Sequence, residues 1–345
     1  MSTWEIVIFT LIKILVIFTI MMLTVSYLVY FERRISAWTQ NRLGPNRVGW
    51  EGVLQPFADV FKLLLKEDIV PEQAEKKIHS LAPVIALFVA FTTYAVIPIG
   101  PSFNFFDYNI SLVVADVNMG ILYVLALTSL GVYAITLAGW SSGSKYSLLG
   151  GIRSSAQMIS YEISMGFSVG GVILLSESLR PIAIVESQGL WMWNAWIQPI
   201  GFITFLVSAF AETNRLPFDL PEAEPELVGG FHTEYSSMKF AGFFLAEYAN
   251  MIISSALIIT LYLGGYQIPF IDITTLGLAH WFEVLIYITA FFFKMGALLF
   301  FFLWVRWTIP RFRYDQLMNL GWKVMFPLAL LNIIWVAVLI MVFNL

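Results

Sequence analysis

Residues Ala211–Lys239 read AETNRLPFDLPEAEPELVGGFHTEYSSMK. The stretch holds Glu212, Asp219, Glu222, Glu224, Glu226 and Glu234 against Arg215 alone, before Lys239 closes it. Long apolar runs at 196–211 and 240–263 flank it, so it emerges at one face of a membrane. Acids this close repel one another, which makes their titration collective. A solvated acidic loop would fit the composition as well. Against that reading, the acids are interleaved with Pro, Leu, Val, Phe and Gly rather than Ser, Lys or Gln, as in a packed segment. Pro217, Pro221 and Pro225 forbid one continuous helix. Interrupted backbone at a membrane edge is tolerated where it lines an enclosed or water-filled cavity. ETNRLP also allows a Glu212–Arg215 pair one turn apart.

Working outward, hydrophobic residues make up 59% of the 345 and charged residues 12%, with mean hydropathy +0.79. Soluble domains carry about twice that charged fraction, so the fold class is an all-α polytopic membrane protein in one membrane domain, 1–345. A span needs about 20 apolar residues. Eight are expected, near 4–31, 81–99, 119–139, 155–176, 196–211, 240–263, 283–304 and 325–343. The first run lacks the basic start and small-residue cleavage site of a signal peptide, and reads as a retained span. Sixteen of the 19 Lys and Arg fall in 32–80, 140–154, 212–239 and 305–324, which share one side if the spans alternate. That asymmetry puts the basic side in the cytoplasm and both termini outside.

Between the first two spans, 52–66 reads as an amphipathic helix with Val53, Leu54, Phe57, Val60, Phe61 and Leu64 on one face. Such a helix is too short to span and belongs along the inner interface. Asp59 on its polar face could simply pair with Lys62 at the surface. Arg33, Arg34, Arg42 and Arg47, with Glu32 and Trp38 near them, could simply anchor head groups. Two acids lie within spans at similar depth from the inner side, Glu162 in the fourth and Glu247 in the sixth. Intramembrane acids are costly and usually face a polar interior. Glu162 could instead form a structural pair with Lys294 or Arg153. Lys13 is placed to snorkel toward the outer interface, whereas Lys294 is too central for that and is expected to pair with an interior acid. Arg306, Arg311 and Arg313 would face docked acidic surfaces or head groups. Trp191, Trp193 and Trp196 in the outer loop read as interfacial anchors.

Five runs together carry a family resemblance: YFERRISAWTQNRLGPNRVG, VLQPFADVFKLLLKED, KYSLLGGIRSSAQMISYEISMGF, AETNRLPFDLPEAEPELVGGFHTEYSS and RWTIPRFRYDQLMNLGWK. These runs, the second at 53–68, resemble the quinone-site membrane subunit of the proton-pumping NADH:quinone oxidoreductase, respiratory complex I. The resemblance implies a subunit that forms the membrane side of the quinone chamber under a hydrophilic arm. It implies quinone contacts for Arg33, Trp38, Arg42, Phe57, Asp59 and Phe231. It implies a proton path through Glu162, Glu212, Glu222, Glu224, Glu226, Glu234 and Glu247. Quinone would be substrate, with iron–sulfur clusters and flavin only in partner subunits. Implied partners are the arm subunits that carry the terminal cluster and the quinone head-group site, the small and antiporter-like membrane subunits, and lipid, but not nucleic acid. The implied location is a bacterial cytoplasmic membrane rather than an organellar one.

The residues agree on one point without the resemblance. With no Cys the chain holds no iron–sulfur cluster. His79, His232 and His280 all fall outside the expected spans, which excludes a membrane haem with two His ligands. Two other readings stand beside the first. A homologous subunit of a membrane-bound hydrogenase or other-donor dehydrogenase would share these runs. A stand-alone cation transporter would show inverted repeats and matching broken helices, and neither is apparent.

Overall fold

The computed structural model describes residues 3–105, 108–219 and 227–343. A bilayer core offers no water to backbone N–H and C=O groups, so long apolar segments close their hydrogen bonds internally as helices. In chain order the helices are α1 (Thr3–Thr39), α2 (Gln55–Leu65), α3 (Lys76–Thr93), α4 (Gly120–Ser141), α5 (Lys145–Ser176), α6 (Pro181–Gln188), α7 (Asn194–Ile197), α8 (Pro199–Glu212), α9 (Ser237–Tyr262), α10 (His280–Thr308), α11 (Tyr314–Asn319) and α12 (Phe326–Phe343). The turn Leu320–Met325 is π-helical and joins α11 to α12 in one apolar run. Hydroxyls inside the long helices bond back one turn, as Thr19 does to the Leu15 carbonyl and Thr136 to that of Val132, which hides their donors from lipid.

Among the described residues, seven helical runs are long and apolar enough to cross a membrane: α1, α3, α4, α5, α9, α10 and α11–α12. The fifth expected span differs. It is the 14-residue α8, about 21 Å long at 1.5 Å per residue, against a hydrocarbon core of about 30 Å. Gln198, at φ −129 and ψ 67, breaks the chain between α7 and α8. The outer segments are also more structured than loops. Phe103–Phe105 (β1) and Tyr108–Ile110 (β2) pair antiparallel, and α6 and α7 occupy the stretch read as a tryptophan-anchored loop. There Trp191 and Trp196 are exposed, but Trp193 is buried rather than interfacial.

The connecting segments gather at two ends, the one rich in Lys and Arg labelled inner and the opposite one outer. At the inner end Ile69 N–H donates to Ser236 (2.8 Å), Glu75 N–H to the Ser141 carbonyl (2.9 Å) and Phe312 N–H to that of Pro217 (3.2 Å). At the outer end Ile121 N–H donates to the Leu179 carbonyl (3.1 Å) and Phe270 N–H to that of Leu190 (3.2 Å), and Arg180 forks onto Asp116. Lys13 joins this second set, bonding Ser111 and the Val113 carbonyl.

The core is organised around α9. Of its most apolar window 78% is buried, against 6% for α1 at the periphery. Glycine sets the closest helix approach: a Cβ on Gly139 of α4 would stand 2.5 Å from the Ser147 carbonyl oxygen and 3.1 Å from Gly151 of α5. Small residues at such crossings let backbones meet in a membrane.

Candidate functional site

The inner end of α1 carries the first half of the site. Met21, Val25, Leu28 and Ile35 form its buried stripe, and Glu32 falls on that stripe at helical spacing. Glu32 is therefore carried into the protein, with 7% exposure, instead of anchoring head groups. A buried carboxylate must be hydrogen-bonded and paired, and Glu32 is both. The Tyr248 hydroxyl donates to it at 2.7 Å, Arg215 Nη1 approaches at 3.3 Å, and Arg306 Nη1 bonds its other oxygen. Arg306 thus turns inward, not toward a docked surface. So does Arg311, which donates to buried Asp219 at 2.9 Å.

Arg215, itself 4% exposed, is the hub of this cluster. Its Nε forms an ion pair with Glu247 of α9, and its guanidinium lies over the Tyr248 ring at 4.2 Å. Arg215 therefore reaches across to α1 and α9, instead of folding back one turn onto Glu212. Glu212 bonds Thr128 of α4 and lies within electrostatic range of Glu162. Ser129, the next residue of α4, donates to Glu162. Glu162 is thus held by a hydroxyl, and Lys294 bonds backbone carbonyls elsewhere. Arg153 lies 5.9 Å from the centre of the Tyr314 ring.

Glu212 and Glu247 line one cavity of about 60 Å³, together with Thr128, Asn214, Phe231 and His232. That volume holds a few waters. Phe231 packs edge-on against Phe243 at 5.3 Å, so it belongs to this cavity and the structure does not bring it to α2. Gln157 of α5 ties down the turn that follows α8, donating to the Ala211 and Phe218 carbonyls at 2.8 Å each. Gly150 makes room for the 230–231 backbone, since a Cβ there would lie 2.7 Å from the Gly230 Cα.

The second half of the site is on α2. Pro56 sits in its first turn. Asp59 pairs with Arg33 at 2.7 Å and accepts from Gln55 at 3.1 Å, so its partner lies across on α1 rather than at Lys62. Phe57, Phe61 and Leu64 leave an exposed apolar stripe. Trp38 is exposed, and Arg42 bonds Gln40 and Ser36; neither meets Asp59. Glu32 and Arg33 are neighbours in sequence, so a single turn of α1 joins the Asp59 pair to the buried cluster.

Glu222, Glu224 and Glu226 lie outside the described residues. Glu234 is half-buried in the segment before α9, apart from the cavity lining. Beside it Tyr235 stacks on His79 at 3.9 Å, and burial pushes its phenol up to about 12, against the pull of Ser141 and Ser142. His79 and His280 fall within α3 and α10, inside helices where the sequence placed them outside, but at opposite ends of the fold. The sequence reading missed Arg306, Tyr248, Thr128 and Ser129 as partners. Glu32 had a signal, its place on the apolar stripe.

The sequence profile of the family described as NADH dehydrogenase matches residues 12–337. NADH-quinone oxidoreductase subunit 8 of Rhodothermus marinus is 53% identical, covering 94% of this chain and 95% of its own. The NADH-quinone oxidoreductase H subunit of Salinibacter ruber is 52% identical, covering 94% of each chain. The second H-type copy of that subunit in Geobacter metallireducens is 51% identical, covering 95% of this chain and 94% of its own. With one family profile spanning nearly all its residues and relatives at half identity along their whole length, this chain belongs to the NADH dehydrogenase family, beside the H subunits of NADH-quinone oxidoreductases.

Proposed function

We propose that this chain is the complex I membrane subunit that forms the membrane side of the quinone chamber and passes quinone-reduction events into buried carboxylates. The observation that carries the proposal is the continuity of charge. Asp59–Arg33 leads by one turn of α1 to Glu32–Arg215–Glu247, and the cavity then leads to Glu212, which lies within electrostatic range of Glu162. The relatives' names support the electron acceptor, a quinone. Quinone needs a lipid-accessible apolar slot with a few polar groups. The exposed stripe of α2 with Asp59, Arg33 and Phe57 offers one, with Trp38 and Arg42 following at the end of α1, while Phe231 lines the cavity beyond. Negative charge formed on reduction raises the proton affinity of nearby acids. Glu32, Arg215 and Glu247 relay that change, and the chain continues through Glu212, Glu162, Glu234 and the acids of 222–226.

In this reading α7–α8 is an eighth, broken span, α2 lies along the inner interface, and residues 1–345 form one membrane domain. The basic end faces the cytoplasm of a bacterium, with both termini outside. Electrons come from an iron–sulfur cluster on the hydrophilic arm, and antiporter-like subunits take up the signal. The test is Glu247→Gln and Glu212→Gln in the assembled enzyme. Electron transfer to quinone persists and protons pumped per NADH fall. Full pumping in both variants overturns the carboxylate route.

A further inference from the structure

The acid cluster leaves one intramembrane charge without a role, Lys294. It is the middle residue of α10, with fourteen residues on either side. Its Nζ donates to the carbonyls of Leu263 (2.7 Å), Gly265 (2.9 Å) and Gln267 (2.5 Å), and lies 4.3 Å from the centre of the Trp193 ring. An ammonium has three donors and no acceptor, so three carbonyls satisfy it fully. No acid takes part in these bonds.

The carbonyls belong to the turn that follows α9. Because α10 runs on for roughly 21 Å beyond Lys294 toward the outer end, α9 stops well below that end, inside the bilayer if α10 spans it. The last carbonyls of a helix have no partner within it, and irregular backbone at membrane depth is stable only when protein satisfies it. Three side chains do so here. Gln188 takes the Thr260 carbonyl, Asn194 that of Leu261, and Lys294 the three beyond. Gly264 and Gly265 hold positive φ in this turn, and a Cβ on either would strike Trp193 or Val185 at 2.5 Å. A cation at a helix C-terminus also complements the helix dipole.

We propose that Lys294 is a tethered cation: the carbonyl cage with its Trp193 face is a binding site for a small primary ammonium, which the chain fills with its own side chain. Filling it fixes α10 against α9. Away from the cage, α9 carries Glu247 and Tyr248 near its middle and α10 carries Arg306 in its last turn, so Lys294 is a positioning residue for the Glu32–Arg215–Glu247 cluster. That positioning part rests on the function proposed above; the cage itself does not.

The experiment uses Lys294→Ala in the purified intact complex, reading the half-life of thermal inactivation with n-propylammonium, which replaces the Cγ–Nζ atoms removed. An open groove of about 660 Å³, lined by Ile268, Leu285 and Phe293, leads to Lys294 and admits the probe. Losing hydrogen bonds to a charge shortens the half-life about tenfold or more. The ammonium restores it, and n-propanol of the same shape does not. Lys294→Arg, which stays charged, retains protons pumped per NADH. Equal rescue by propanol, no shortening in Lys294→Ala, or an assembled Lys294→Arg enzyme that fails to pump overturns the proposal. Should Lys294→Ala not assemble, assembly of Lys294→Arg but not Lys294→Met supports it, and the reverse overturns it. If Glu247→Gln and Glu212→Gln both pump fully while ammonium rescue holds, the functional reading fails and the cage stands.

Discussion

Glu32 is a carboxylate in a row of apolar side chains, and its surroundings decide what its loss would do. Removing one partner of a buried pair leaves the other charge unmatched and costs about 3–5 kcal/mol, whereas an exposed pair contributes about 0–1 kcal/mol. Arg215→Leu takes the shared cation from Glu32 and Glu247 and leaves Glu32 to Arg306 and Tyr248, so it should lower the thermal stability of the assembled enzyme as well as its quinone reductase activity. Asp59→Asn removes the Arg33 partner at a site where the two side chains are 29% and 44% exposed. Its stability should change by no more than about 1 kcal/mol, while KM for quinone rises; an unchanged KM with a damaged fold would assign Asp59 to structure. At this scale the sequence exposed the charged residues but not their partners. Arg215 finds Glu32 across 183 positions, and no local pattern encodes that distance. Glu32 itself was legible, since Met21, Val25 and Leu28 set the phase of the helix and Glu32 continues it.

At the scale of elements, apolar length alone revealed the seven long helical runs. Charge and hydropathy could not show where a helix stops short, so α8 read as a full span and the α6–α7 region as a loop. Both depend on polar groups, Gln188, Asn194 and Gln198, whose value comes from partners on other helices. Gln198, for example, accepts from Asn332 of α12 at 3.0 Å. Close crossings were equally hidden, because glycine shows no partner in a sequence. Gly139→Val drives side-chain carbons into the Ser147 carbonyl. Overpacking of this kind costs about 1–3 kcal/mol, and the expected result is a lower yield of assembled subunit, seen on native gels. Gly166, which has open space around its Cβ, should tolerate Ala and serves as the control.

At the scale of the whole molecule, the distribution of basic residues sorts the connecting segments into the two groups that meet in the fold, and in the proposed reading the basic group faces the cytoplasm. The chain contains no cysteine, so single-cysteine variants report on it without background from its own residues. Ser102→Cys at the outer end should react with a membrane-impermeant maleimide in intact cells. Asn46→Cys at the inner end should react only in inverted vesicles. The opposite pattern would reverse the orientation and with it the direction of pumping.

Glu32 and Arg33 hang from one turn of α1, about 100° apart around its axis. One faces the buried cluster and the other faces α2. Twisting that turn as a crank cannot slacken one pair and leave the other at rest. The two halves of the site are mechanically geared through covalent backbone, and disturbance at either is felt at both without a continuous file of hydrogen bonds.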